Sequence, residues 1–346
     1  MRRMLLTVAT GLALIGAVAP AASAHGLGGT GASNYLTVLD AVEPRVAGVR
    51  IRVIELGSRL ELTNRTGRDV VVMGYDGEPY LRIGPRGIFT NQNSPATFLN
   101  AGRDGGAVPP ATDPEEAPVW QRQGGGTTAR WHDHRTHWMG RQDPPAVRRD
   151  RGRSHVVIPR WRVPMTSAGR TFEARGHLLW APGPSPLPWL GLAVVIAVPA
   201  AAAGTHRRRR TLVGVAVAAL LVIDVAHAVA ASLDRGAAAG GQGGQALGGN
   251  AYSLIGWAAA GLGIWMLRRR PADAWFVVGA GAVMIALFGG VADLSDLSRS
   301  QIPVAWPATT ARAMVSLTIG LGAGIAGACA LASRRSHSPS EPPSTP

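Results

Sequence analysis

Apolar and charged residues alternate through Val49-Arg50-Ile51-Arg52-Val53 and again through Arg59-Leu60-Glu61-Leu62. This period-2 pattern belongs to strands with one face in a core and the other in water. Residues 69–73, 79–83, 155–158 and 171–179 read as further short strands, and Asn64-Arg65-Thr66-Gly67 and Asp76-Gly77 supply reversals between them. No stretch before Leu187 carries a helical stripe. The pattern predicts an antiparallel β-sandwich, interrupted at 101–129 and 140–154 by segments rich in Pro, Gly and Arg.

Beyond Leu187 the alternation gives way to five apolar runs, at 188–204, 211–232, 251–268, 274–292 and 310–332. Most come close to the ~20 residues a helix needs to cross a bilayer. The predicted fold class is therefore β plus membrane α: an exported β-sandwich over 25–187, then about five transmembrane helices over 188–335. Arginine clusters at 207–210, 268–270 and 334–335 fall on one side if five helices alternate, and the positive-inside rule makes that side cytoplasmic. The tail, 336–346, would lie inside and residues 25–187 outside. Residues 1–24 fit a signal peptide: Met-Arg-Arg, an apolar stretch to Val18, then Ala22-Ser23-Ala24 as a cleavage site. The expectation is a multi-pass plasma-membrane protein whose first partner is the lipid bilayer.

A net charge of +14 would suggest nucleic acid in a soluble protein. Here much of the excess flanks apolar runs, which argues against nucleic-acid binding. The sequence contains no lysine, so all 35 Lys/Arg positions are arginine. Its single cysteine, Cys329, lies in the last apolar run, so the exported part has neither disulfide nor thiolate to offer. A metal bound there must use nitrogen, oxygen or thioether donors.

Such donors are concentrated in Trp131-His132-Asp133-His134-Arg135-Thr136-His137-Trp138-Met139, in a chain with nine histidines. His132 and His134 share one side of an extended strand, and His137 joins them only if the chain turns near Arg135-Thr136. Asp133 could act as ligand or second-shell partner, and Met139 as a soft donor. Signal-peptide cleavage would leave His25 at the new terminus, where α-amine and imidazole form a bidentate chelate suited to Cu(II). Copper, as Cu(II) or Cu(I), is therefore the expected metal, with zinc as the alternative. His155 and His177 are weaker candidates, and Met73 and Met165 read first as core residues.

Two polar pairs interrupt the apolar runs. Asp224 and His227 are three apart in the second, and Asp293 and Asp296 repeat that spacing at the outer end of the fourth. Ionisable side chains in a bilayer are costly and suggest an ion or proton site, against the plainer alternative of a structural interhelical pair. Gly256, Gly261, Gly263, Gly320, Gly322 and Gly324 suit close helix packing.

With a terminal His25, a β-rich exported domain and the His/Asp/Met cluster, the layout resembles the CopC-like copper-resistance family. Mature chains of that family begin with histidine and carry a later Asp-x-His motif, in some cases joined to a membrane domain. The resemblance implies that His25 is the terminal chelate and that Asp133 or His134 adds donors, although here Asp and His are adjacent. It implies copper sequestration, delivery or uptake, with other copper-handling proteins as partners. Two further readings stay open: a copper-dependent oxidative enzyme, and a membrane-anchored interaction or structural module without metal. No nucleotide-binding loop, nucleophile elbow or hydrolytic triad is present.

Overall fold

The computed structural model describes residues 31–102, 105–239, 251–271 and 273–336. The expected signal peptide, His25 and residues 337–346 of the tail lie outside them. The chain divides into two compact units, one spanning Ser33–Gly183 and one holding the helices from Pro184 onward.

The first unit is built from two antiparallel sheets. The larger has seven strands: β1 (Tyr35–Glu43), β4 (Val70–Met73), β5 (Pro79–Gly84), β6 (Gly87–Asn91), β7 (Trp120–Gly124), β9 (His155–Ser167) and β10 (Arg170–Trp180), in the order β1-β10-β9-β4-β5-β6-β7. The smaller pairs β2 (Val49–Ile54), β3 (Arg59–Asn64) and β8 (Thr128–Trp131) in the order β2-β3-β8. Leu60, Leu62 and Trp131 of the small sheet share one core with Val70, Val72, Ile83, Trp161, Met165 and Phe172 of the large one. The alternation read from sequence is thus real, but the sheets are unequal and do not close into a sandwich, because β1, β6 and β7 extend only the larger one.

Two local features shape the long β9–β10 hairpin. Its register slips between Gly176 and Leu178, which pair with Trp161 and Ile158. Pro159 lies in that slip, where a missing N–H costs no ladder bond. Opposite, a Cβ on Gly176 would stand 2.2 Å from the Trp161 ring and 1.9 Å from the Val38 carbonyl oxygen. Only glycine leaves room for both that indole and that carbonyl. Among the described residues the α-helical turns in this unit are α1 (Pro95–Leu99) and α2 (Pro145–Arg149), both begun by proline.

The second unit comprises α3 (Leu187–Ala202), α4 (Arg209–Ala239), α5 (Ala251–Arg269), α6 (Ala274–Ile285) and α7 (Ala308–Ser336). Among the described residues four helices are long and apolar enough to cross a membrane: Leu187–Thr205, Arg209–Leu233, Ala274–Leu297 and Ala308–Arg335. The third apolar run, 251–268, does form a helix, α5, but it is not one of the four. Tyr252, Ser253, Trp257 and Trp265 dilute its apolar content, and Arg268 and Arg269 close it. After α6 the helix changes winding, first to a π-turn over Ala286–Gly290 and then to 3-10 over Val291–Leu297. Gly320 and Gly324 lie against Ala193 and Ala197, and Gly256 against Ile285, so these glycines do serve close packing. Gly261 has nothing within reach of a Cβ.

Candidate functional site

β8 delivers Trp131 to the core, and the chain then turns through a 3-10 segment, His134–Thr136, begun by Asp133. Asp133 is fully buried (0 %) and its two oxygens take four donors. Oδ1 accepts from Arg135 N at 3.2 Å and Arg135 Nε at 2.8 Å; Oδ2 accepts from Arg135 Nη2 at 2.8 Å and Trp131 Nε1 at 3.1 Å. Arg135 in turn donates to the carbonyls of Met73 and Gly74 and lies over the Tyr75 ring. Asp133 is therefore a structural hub, with its lone pairs already used.

Tyr75 completes this network by accepting from His134 N at 3.1 Å and donating to Asn100 Oδ1. Burial, and then the charge of Asp133, push its phenol up to about 12. The hydroxyl accordingly stays neutral and can act as donor and acceptor at once. Tyr80 is raised for the same reasons, burial first and Asp133 second.

The three histidines of the cluster part company. His132 accepts from Arg59 Nε at Nε2 (3.0 Å), so its Nδ1 carries the proton and donates to Ser58 O at 2.8 Å. His137 donates from Nε2 to the same carbonyl at 3.1 Å. His134 turns away and donates from Nε2 to Gly102 O at 3.2 Å. The structure thus brings His132 and His137 together at Ser58, where strand alternation had paired His132 with His134; the turn at Asp133 breaks the alternation. Met139 is 45 % exposed, and no described contact joins it to them. Among the described residues no three His, Cys, Asp or Glu side chains converge as a metal-holding group.

No family model, curated protein or solved structure matches this chain.

The weaker candidates have ordinary roles. His155 donates to Asp150 O at 2.6 Å, His177 pairs with Asp40 at 2.9 Å, and Met165 is wholly within the core.

The helical unit holds a second polar constellation. His227 Nε2 meets Asp293 Oδ2 at 3.1 Å, joining one residue from each of the two pairs singled out in the sequence. Asp224 Oδ2 accepts from Trp257 Nε1 at 2.6 Å. A Cβ on Gly289, in the π-turn, would stand 1.8 Å from Asp224 Oδ1, so the carboxylate occupies space that a side chain there would fill. Arg312 donates from Nε to Asp296 O at 3.0 Å and from Nη2 to Arg299 O at 2.7 Å, holding the main chain beyond the break. Sequence reasoning passed over Ser58, Arg59, Trp257 and Arg312. Arg312 carried a signal, a lone cation inside an apolar run; Ser58 acts through its carbonyl, which no side-chain pattern reveals.

The arginine clusters meet at one end of this unit. Arg209 and Arg210 lie over the Trp275 ring, Arg210 reaches Leu267 O at 3.4 Å, and Arg335 donates to Thr205 O at 2.8 Å.

Proposed function

We propose that this protein is a membrane-held interaction module: a β domain presented outside the plasma membrane by a multi-pass helical bundle. The observation that carries this reading is the use of the Trp131–His137 segment. Asp133, His132, His134 and His137 all bind groups of their own domain, so the segment fastens a long excursion to both sheets and holds a shaped surface. Orientation is supported by the gathering of Arg209, Arg210, Arg268–Arg270 and Arg335 at one end, which the positive-inside rule assigns to the cytoplasm. α5 packs through Ala260 and Leu267 into the same core as α4, α6 and α7, which supports a fifth crossing and with it an external β domain and internal tail. The test is copper titration of the full chain beside a His132/His134/His137 triple-alanine variant. No stoichiometric binding in the parent, with lowered thermal stability in the variant, is the expected outcome.

A second reading is extracytoplasmic copper handling of the CopC-like kind, with His25, His132 and His137 as ligands. The meeting of two imidazoles at Ser58 O favours it, since rotation of both rings off that carbonyl would present two nitrogens to one ion. Tight one-to-one Cu(II) binding with a nitrogen-rich paramagnetic spectrum, lost in the triple variant, would establish it and displace the first.

A further inference from the structure

Asp296 is 0 % exposed, and neither of its carboxylate oxygens has a hydrogen-bond partner. Asp224 Oδ1 and His227 Nδ1 are likewise buried and unpartnered. A buried carboxylate with no donor is among the costliest arrangements in a protein, more so at a depth where no bulk water reaches. Arg312 makes no hydrogen bond to that carboxylate: its Nε and Nη2 are spent on the carbonyls of Asp296 and Arg299. The backbone at this point is irregular, with a π-turn passing into a 3-10 segment and Asp293 at φ −97°, ψ 16°. Such breaks in membrane helices are tolerated where they line a cavity or a polar site.

Four of the helices gathered here contribute polar groups, while α3 packs against the break with apolar side chains only. α4 gives Asp224 and His227, α5 gives Trp257, the broken end of α6 gives Asp293 and Asp296, and α7 gives Arg312. Within this group Asp296 is the carboxylate left with no donor on either oxygen. What completes it must fit a closed, donor-free space. Among the described residues the donors are not gathered as a metal shell, whereas a proton needs a single oxygen.

We propose that Asp296, beside Asp224 and the His227–Asp293 pair, is a reversible proton-binding site within the helical unit. Uptake is plain protonation: a hydronium ion gives its proton to a carboxylate oxygen of Asp296, an O–H bond forms, and water is released. Along α4, Asp224 lies 15 residues past Arg209, about 22 Å at the rise of a helix. The site is therefore remote from the arginine end, and by the proposed orientation it lies nearer the outer side.

The test is infrared difference spectroscopy of the full chain in lipid nanodiscs, titrated from neutral to acid pH. A carboxylic C=O stretch at the high frequency of a carbonyl lacking hydrogen bonds should appear reversibly, distinct from the bands of water-bonded surface carboxyls. Asp296→Asn should remove it. Labelling the unmodified chain with 13C-aspartate should shift it, which keeps the question decidable if the variant does not fold. Absence of a high-frequency band, or a band insensitive to both the variant and the label, overturns the proposal. So does a band abolished when sodium replaces choline in the buffer, which would mark a sodium site.

Discussion

Asp133 and Arg135, two residues apart, form a bidentate ion pair with both N–O distances at 2.8 Å, and the carboxylate has no exposure to solvent. The pair bridges the start of the 3-10 turn and ties it to the main chain at the end of β4 and to the Tyr75 ring. Asp133→Ala leaves the Arg135 guanidinium buried without its partner, at a cost of about 3–5 kcal/mol. Thermal unfolding of the β domain, followed by near-ultraviolet circular dichroism on the full chain, should show a large fall in midpoint; an unchanged midpoint would contradict the role given to this pair.

Glu61 provides the pH dependence. It lies directly across from Arg52 on β2 and Arg130 on β8, and bonds both. Burial works to raise its carboxyl, but the two guanidinium hydrogen bonds and charges outweigh it and hold the group below the usual carboxylate range. Because the folded value is the lower, the pair's contribution is present above the ordinary carboxylate range and is lost as pH falls through the folded value. Glu61→Gln should lower stability at neutral pH by about 1–3 kcal/mol and flatten the acid limb of a stability–pH profile. A variant whose profile parallels the parent's would refute this.

Gly289→Ala tests the fit around Asp224. The added methyl would stand 1.8 Å from Asp224 Oδ1, so the carboxylate must shift and its bond from Trp257 is strained. A loss of about 1–3 kcal/mol is expected, measured as thermal stability in detergent, whereas Gly261→Ala, where a Cβ meets nothing, should be silent.

Orientation is checked with thiols. In a Cys329→Ser background, a membrane-impermeant maleimide applied to intact cells should label Ser300→Cys and spare Ser336→Cys. The reverse pattern would invert the topology.

The strands that alternate cleanly were legible: Val49–Ile54 and Arg59–Asn64 appear almost as read, because one face of each meets the core. β1, β6, β7 and β8 were not. Trp120-Gln121-Arg122-Gln123-Gly124 has no apolar alternation to show, since β7 is held at the sheet edge by its backbone register with β6 rather than by burial. Of the site, the spacing at Asp224/His227 and Asp293/Asp296 was visible, yet the pairing across helices that joins His227 to Asp293 depends on the bundle. The histidine cluster misled in its grouping. Local periodicity assigned faces, and a tight turn nucleated by Asp133 then reassigned them.

The fourth span does not keep one winding to its end: a π-turn over Ala286–Gly290 passes into 3-10 winding over Val291–Leu297, and that winding is itself broken at Asp293. In an unbroken α-helix, side chains three apart stand about 60° from one another round the axis. The break removes Asp293 and Asp296 from that rule, so the direction each carboxylate faces is set by the irregular backbone and not by their spacing in the sequence.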